Sequence, residues 1–420
     1  MQQYWHSVIL DKALCCGCTN CLDRCPTQAI RVIEGKAKII NDRCTDCGEC
    51  IKVCPYHAKG ALTEEMDALK HFKYTVAIPS ISIFGQFPLD YSPNRILNGF
   101  LKMGFDDVYD SSFAADCVTA KQHQYMTTHS GNRPLISTYC PAIVRLIQIR
   151  YPSLIDNILP VESPMEVAAR LARKKAVAET GLTEDEIGVF FISQCPAKIT
   201  SVHTPIGIRE SAVNGVIAIS KIFTRLLKAV EDVSEEKPLR LGSGYGIGWG
   251  RVSGQSYALK LDNYLGVDGI QEVIKILDKI ELGKLPGIDF FEGYACVTGC
   301  VGGPLNVENA FIAKSRITKL SQHIDLQPLD ELAAIYDSAG IEFDQEIEAR
   351  QVMKLDVDFR KAMEKMSRIE EIFRLLPQID CGACGSPTCR ALAEDIVQEI
   401  ATLSDCVVRN FKPRGSYETK

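Results

Sequence analysis

The sequence predicts an α/β body of two doubly wound lobes set between two small cysteine-rich modules, an N-terminal α+β one and a C-terminal helical one. Three observations lead there. A cysteine run repeats itself near the N-terminus; strand-like apolar runs alternate with amphipathic helical segments from residue 61 to 375; and a further cysteine group containing two glycines begins after residue 376. The expected units are 1–60, 61–375 and 376–420 of a 420-residue chain.

Composition narrows the function. Hydrophobic residues make up 46%, charged residues 24%, and the net charge is −6, which removes the basic footprint of a nucleic-acid binder. No apolar run approaches the roughly 20 residues of a membrane span, and no basic segment followed by an apolar one precedes Cys15. The expectation is a cytoplasmic protein with neither a nucleic-acid nor a membrane partner. The outlier is cysteine, at 18 residues: too dilute for a secreted disulfide scaffold and too many for incidental core thiols.

In the first unit, Cys15, Cys18, Cys21 and Cys25 follow C-x2-C-x2-C-x3-C-P, and Cys44, Cys47, Cys50 and Cys54 repeat it, with Pro26 and Pro55 closing the runs. In such a doubled run three thiolates hold one 4Fe-4S cubane and the fourth crosses to the other. Cys15, Cys18, Cys21 and Cys54 are thus assigned to one cluster, and Cys44, Cys47, Cys50 and Cys25 to the second. A pair of zinc knuckles is the alternative, since C-x2-C also suits zinc. Residues 9–60 resemble the bacterial two-cluster ferredoxins. Cys16 has no slot in the pattern and reads as a small packed or shielded thiol.

In the last unit, Cys381, Cys384, Cys389 and Cys406 give C-x2-C-x4-C-x16-C. Gly382 and Gly385 allow a tight cluster loop, and Ala391–Leu403 has the helical spacing to return the chain to Cys406. A third 4Fe-4S cluster is expected, with zinc as the alternative. The run resembles the small C-terminal iron–sulfur domain of some iron–sulfur enzymes. Before it, Phe359, Met363, Met366, Ile369, Ile372, Phe373 and Leu376 mark an amphipathic helix expected to pack this module onto the body.

In the body, helical segments at Pro164–Thr180, Ser211–Val230 and Gly269–Ile280 separate strand-like runs such as Thr75–Pro79 and Gly188–Ser193. Three remaining cysteine sites each follow a strand-like run: Pro134–Ser137 before Cys140, Val189–Ile192 before Cys195, and Phe290–Tyr294 before Cys296 and Cys300. Ligands gather beyond the carboxyl ends of strands in open parallel sheets, so these loops are expected to converge on one metal site. The glycine-rich stretch 242–250 fits neither G-x-G-x-x-G nor a P-loop and reads as close backbone packing.

The segments STYCPAIVRLIQIRYPSL (137–154), SQCPAKIT (193–200) and YACVTGCVGGP (294–304) resemble the three active-site signatures of the FeFe hydrogenases, supported by VAIPSISIFGQF (76–87) and GYGIGWGRVSG (244–254). The resemblance implies that Cys140, Cys195, Cys296 and Cys300 hold a cubane and that Cys300 bridges it to a di-iron subcluster with carbonyl, cyanide and a dithiolate amine, together the H-cluster. With three accessory 4Fe-4S clusters, the ligands then number 16 of the 18 cysteines, leaving Cys16 and Cys117. The resemblance also makes Lys198 the hydrogen-bond donor to a cyanide, where a solvated surface lysine is the plain alternative, and places Pro79 and Ser80 in the lining of the di-iron pocket.

The departures bear on turnover. Tyr139 stands where the family relays protons through a cysteine, and a phenol with pKa near 10 exchanges protons less readily than a thiol near 8.5. Leu159 stands in the place of a serine on that route, and Thr119 and Gln122 replace an acidic pair. Ser193 and Tyr294 replace two methionines beside the di-iron unit. Tyr139 is either a packing residue or a hydroxyl donor to the dithiolate amine. His123 and His203 are the histidines near a signature. The expectation is a low-turnover, H2-sensing hydrogenase in which Tyr139, Lys198 and Cys300 are catalytic, exchanging H2 with protons and electrons and serving a redox or signalling protein partner. The alternative is a hydrogenase-like electron-transfer subunit of a redox complex without the di-iron subcluster. A homodimer is the default expectation for such a chain.

Overall fold

The computed structural model describes residues 4–322, 325–341, 343–352 and 354–410, so residues 1–3 and 411–420 of the two terminal units lie outside the described residues. The N-terminal unit contains β1 (Val8–Leu10), β2 (Ile30–Ile33), β3 (Lys36–Ile39) and β4 (Lys59–Ala61), with β1 antiparallel to β4 and β2 to β3. Each cysteine run carries a one-turn helix, Asn20–Asp23 and Glu49–Lys52. These helices are too short to be stable alone, and the cysteines and Leu22 beneath them form the module's core.

The body contains β5 (Tyr74–Pro79), β6 (Asp107–Val108), β7 (Leu135–Ile136), β8 (Ile187–Ser193), β9 (Gly215–Ala218), β10 (Tyr264–Asp268) and β11 (Phe290–Tyr294). These form two all-parallel sheets, ordered β6-β5-β8-β9 and β10-β11-β7. Every residue of β8 is buried, as expected of a parallel strand covered on both faces. Alternate side chains divide between two cores. Val189 and Phe191 join helices Ser111–Thr128 and Pro164–Thr180, while Phe190 and Ile192 join helices Pro93–Lys102 and Ile219–Glu231. Helices Pro141–Arg150 and Ile270–Glu281 pack on the second sheet. The glycine-rich stretch is close packing, since a Cβ at Gly246 would collide with the Ser112 carbonyl. No described helix is long and apolar enough to cross a membrane.

Two expectations are corrected here. The helix expected over 211–230 is split, because the apolar run at 215–218 pairs in parallel with β8 as β9 and the helix starts only at Ile219. The amphipathic helix forms as Phe359–Leu375, but Ile369 and Ile372 pack on Leu392, Ala393 and Val397 of helix Cys389–Val397 within the terminal module. Phe359 and Met363 remain exposed, so this helix does not fasten the module to the body by its apolar face. The terminal module meets the N-terminal one instead, through Arg31 and Asp395.

Candidate iron–sulfur centres

The doubled run closes around two cavities. Cys15, Cys18, Cys21 and Cys54 line one of about 350 Å³, and Cys25, Cys44, Cys47 and Cys50 line another of about 370 Å³. The crossing of Cys25 and Cys54 between the runs is thus present in the geometry. Backbone N–H groups aim at the sulfurs, from Ala29 to Cys25 at 3.2 Å and from Ala58 to Cys54 at 3.3 Å, as suits thiolates that share negative charge with a cluster. Burial pushes the free Cys50 thiol up to about 12, so a soft cation is what would draw thiolates into this dry site. Cys16, expected to be shielded, is exposed on its loop, whereas Cys117 is fully buried in the helix Ser111–Thr128.

The body provides a third cavity of about 340 Å³, lined by Cys140, Cys195, Cys296 and Cys300 and, from the N-terminal module, Cys47. The convergence follows from topology. Cys140 comes after β7 and Cys195 after β8, each just before a proline that opens a helix, and Cys296 and Cys300 come after β11. Proline at the first helical position needs no N–H partner, and the free N–H groups of a helix start favour an anionic cluster. Gly299, at φ 89°, allows the Gly250 carbonyl an approach that a Cβ, at 2.7 Å from that oxygen, would block. The four cysteine sulfurs lining each of the three cavities suit one type of guest, a cubane, in each. Lys52, from the N-terminal module, faces the Cys296 sulfur; burial lowers its pKa but Cys296 and Glu49 more than offset this, leaving it raised.

The di-iron unit that the resemblance implies meets a different environment. Tyr139 is buried with its ring edge-on to Trp249 at 4.6 Å and to Tyr294 at 6.0 Å between centroids. The Lys198 ammonium lies 4.5 Å from the Tyr139 ring centroid, and its hydrogen bond, at 3.4 Å, goes to the Tyr139 carbonyl. At the other end the Tyr139 hydroxyl is turned toward Cys300, and burial first, then the charge of Cys300, pushes its pKa well up, so it remains protonated. A Cβ at Gly250 would lie 3.7 Å from that hydroxyl and 3.8 Å from both Cys300 Cβ and Ile81 Cβ, so Gly250 and Ile81 pack beside this end of the ring. The ring therefore packs beside Lys198 and toward Cys300, the two residues that would anchor the di-iron unit. The four cysteines fit a cubane; Tyr139 as placed does not fit the di-iron unit beside it.

The remaining expected site residues are engaged by the protein itself. Ser193 donates to the Cys195 carbonyl at 3.0 Å and accepts from the Cys195 N–H, stiffening the ligand loop. The Tyr294 hydroxyl donates to Glu292 at 2.7 Å and accepts from Gln255 at 3.0 Å. Ser80 caps the turn at Ile81–Gly85, and the Pro79 carbonyl accepts from Ser111. Leu159 is fully buried, Thr119 accepts from the Trp249 indole, His203 packs on Trp5 at 4.0 Å, and His123 is exposed, so none continues a proton route from Tyr139.

Sequence reasoning missed the buried acids, Glu162, Glu166 and Glu292 among them. Glu162 and Glu166 line a separate cavity behind Thr138 and Pro141 and both feel the Lys198 charge; burial pushes Glu162 up to about 7. Glu292 sits in β11 among phenylalanines, where a charged residue in an apolar strand was the available signal. In the terminal module Cys389 and Cys406 are buried in one core, with Cys384 packed against it and close to Cys381 and Cys406.

Family models match three stretches of the chain: "Iron only hydrogenase large subunit, C-terminal domain" over residues 73–258 and 251–304, "4Fe-4S dicluster domain" over 7–55 and "Putative Fe-S cluster" over 376–408. The chain is 22% identical over 380 residues to the NADP-reducing hydrogenase subunit HndD of Solidesulfovibrio fructosivorans, covering 71% of this chain and 64% of that one. It is 22% identical over 257 residues to iron hydrogenase 1 of Clostridium pasteurianum, covering 54% and 44%. A shorter match, 48% identical over 44 residues and covering 10% and 17%, is to a subunit of an ion-translocating oxidoreductase complex of Methanosarcina acetivorans. The chain thus spans less than two thirds of the length of these curated relatives. Among solved structures, the FeFe hydrogenase HydA1 of Chlamydomonas reinhardtii superposes with a TM-score of 0.52 at 15% identity, over 69% of this chain and 97% of that one, which shows a shared fold.

Proposed function

The chain belongs to the iron-only hydrogenase large-subunit family, and from that premise we propose that it is an electron-transfer oxidoreductase whose Cys140, Cys195, Cys296 and Cys300 hold a 4Fe-4S cubane without a di-iron partner. The observation that carries this is Tyr139, whose buried ring packs against the Lys198 ammonium at 4.5 Å and against Trp249, with its hydroxyl turned toward Cys300. A bound cubane supplies exchange of one electron at a time. The residues around it hold that charge: Lys198 faces Cys195 and Cys300, Lys52 faces Cys296, and the buried aromatic rings keep water off the sulfurs. Cys47 lines both its own cavity and this one, so an electron needs no protein-wide jump between the two clusters.

The second reading is the low-turnover, H2-sensing hydrogenase with a complete H-cluster. What favours it is Lys198, buried beside the cubane ligands. It requires the Tyr139 ring to leave its stack on Trp249 and to free the Cys300 sulfur. For the partner we infer a one-electron redox protein, since two of the relatives are themselves named as subunits of larger assemblies. The test is anaerobic reconstitution with iron and sulfide, followed by redox titration under electron paramagnetic resonance. The expected result is about 16 irons per chain, from four cubanes, and one-electron signals from each. Zinc-filled sites, or a body cluster that takes up no electron, would overturn the proposal.

A further inference from the structure

The terminal cysteine loop is seated on the N-terminal module by a built contact. The Arg31 guanidinium forks onto Asp395, Nε to Oδ2 at 2.5 Å and Nη2 to Oδ1 at 3.1 Å, with both side chains buried. Ser386 adds a hydrogen bond to the same carboxylate at 2.9 Å, and Arg43 faces Glu394 at 3.8 Å. The backbone joins as well, Val32 N–H donating to the Gly385 carbonyl at 2.8 Å. A planar two-point contact of this kind fixes orientation as well as position.

What it orients is the loop between Cys381 and Cys389. A Cβ at Gly385 would collide with the Val32 carbonyl, and one at Gly382 would lie 3.2 Å from Asp23 and 3.4 Å from Leu22. Val32 lines the cavity of Cys15, Cys18, Cys21 and Cys54, and Leu22 packs in one core with Cys15, Cys21 and Cys54. The wall between the terminal site and this cavity is therefore one layer of residues. Cys381 of the terminal site is exposed.

We propose that the terminal cluster is the outer station of a four-cluster relay, passing single electrons across Leu22 and Val32 to the first cluster of the N-terminal module, with Arg31 and Asp395 as positioning residues. The order inward is then the terminal cluster, the cluster of Cys15, the cluster of Cys44, and the body cubane reached at Cys47. This rests on the electron-transfer reading above. The step is balanced as outer-sphere transfer: a low-potential iron–sulfur or flavin carrier loses one electron, the terminal cluster gains it and is reoxidised as the next is reduced, and no bond or proton moves.

The test uses the full, reconstituted chain reduced with dithionite. Magnetic interaction between the terminal cluster and its neighbour, seen as broadening and faster spin relaxation, is expected in the wild type. It is expected to be lost in Arg31→Met and Asp395→Asn with iron content unchanged, and partly restored in Arg31→Lys. No interaction in a wild type carrying all its clusters overturns the relay, and so does interaction undiminished in both variants. A chain that assembles the other clusters but not the terminal one instead overturns the assignment beneath it, and the iron count tells the two apart. The wild-type measurement stands even if a variant fails to fold.

Discussion

The ammonium of Lys198 sits 4.5 Å from the centre of the Tyr139 ring, and the hydroxyl of the same ring is turned toward Cys300. One aromatic side chain thus bridges a buried cation and a cluster ligand. A cation over a tyrosine face is held by the ring quadrupole, and a hydroxyl on a cluster sulfur disperses the negative charge added on reduction. Both contacts turn Tyr139 toward the cubane.

Tyr139→Phe removes only the hydroxyl and keeps the ring in its stack. The reduced cubane loses a donor, so its midpoint potential should fall while iron content stays constant. A redox titration checks this, and an unchanged potential would place the hydroxyl elsewhere than on Cys300.

Lys198→Met removes the cation facing Cys195 and Cys300. The potential of the body cubane should fall by at least ~60 mV, one tenfold step in a one-electron equilibrium. The two clusters of the N-terminal module should not move. A uniform shift of all clusters would mean that the charge acts on the whole protein and not at this site.

Glu162 is pushed up to about 7 by burial, with Glu166 adding to it. An unfolded glutamate titrates near ~4.3, so the folded chain binds more protons between the two values. The stability this gives is complete below about pH 4 and is lost as pH rises through about 7. Glu162→Gln keeps the neutral form throughout, so relative to the variant the wild type should weaken across that window by about 4 kcal/mol. Thermal midpoints of both proteins at acidic and at mildly alkaline pH test it, and a constant difference would remove the buried titration.

Gly246→Ala drives a methyl group into the Ser112 carbonyl, a backbone atom that cannot swing aside. Overpacking of this kind costs about 1–3 kcal/mol, visible as a lower thermal midpoint. No loss would mean that the helix Ser111–Thr128 shifts freely, against its burial.

The sequence revealed most where chemistry restricts residue type. Cluster ligands must be cysteines at spacings a loop can close, so Cys25 and Cys54 were assignable across the two runs and the structure brings them to those cavities. The uninterrupted apolar run of β8 likewise made a buried parallel strand legible. Amphipathy was less informative: it gave helix Phe359–Leu375 an apolar face but not the partner, which only the position of helix Cys389–Val397 decides. Side-chain direction was not legible at all. Tyr139 was readable as a substitution, but that its ring would pack beside Lys198 and toward Cys300 depends on Trp249 and Gly250, more than a hundred residues away.

With Tyr139 in its stack on Trp249, a cubane alone is proposed at Cys300. The infrared spectrum of the chain, produced together with the enzymes that build and insert di-iron subclusters, tests it most directly. The account predicts a full complement of cubane iron and no carbonyl or cyanide stretching bands; the appearance of those bands in the wild-type chain would contradict it.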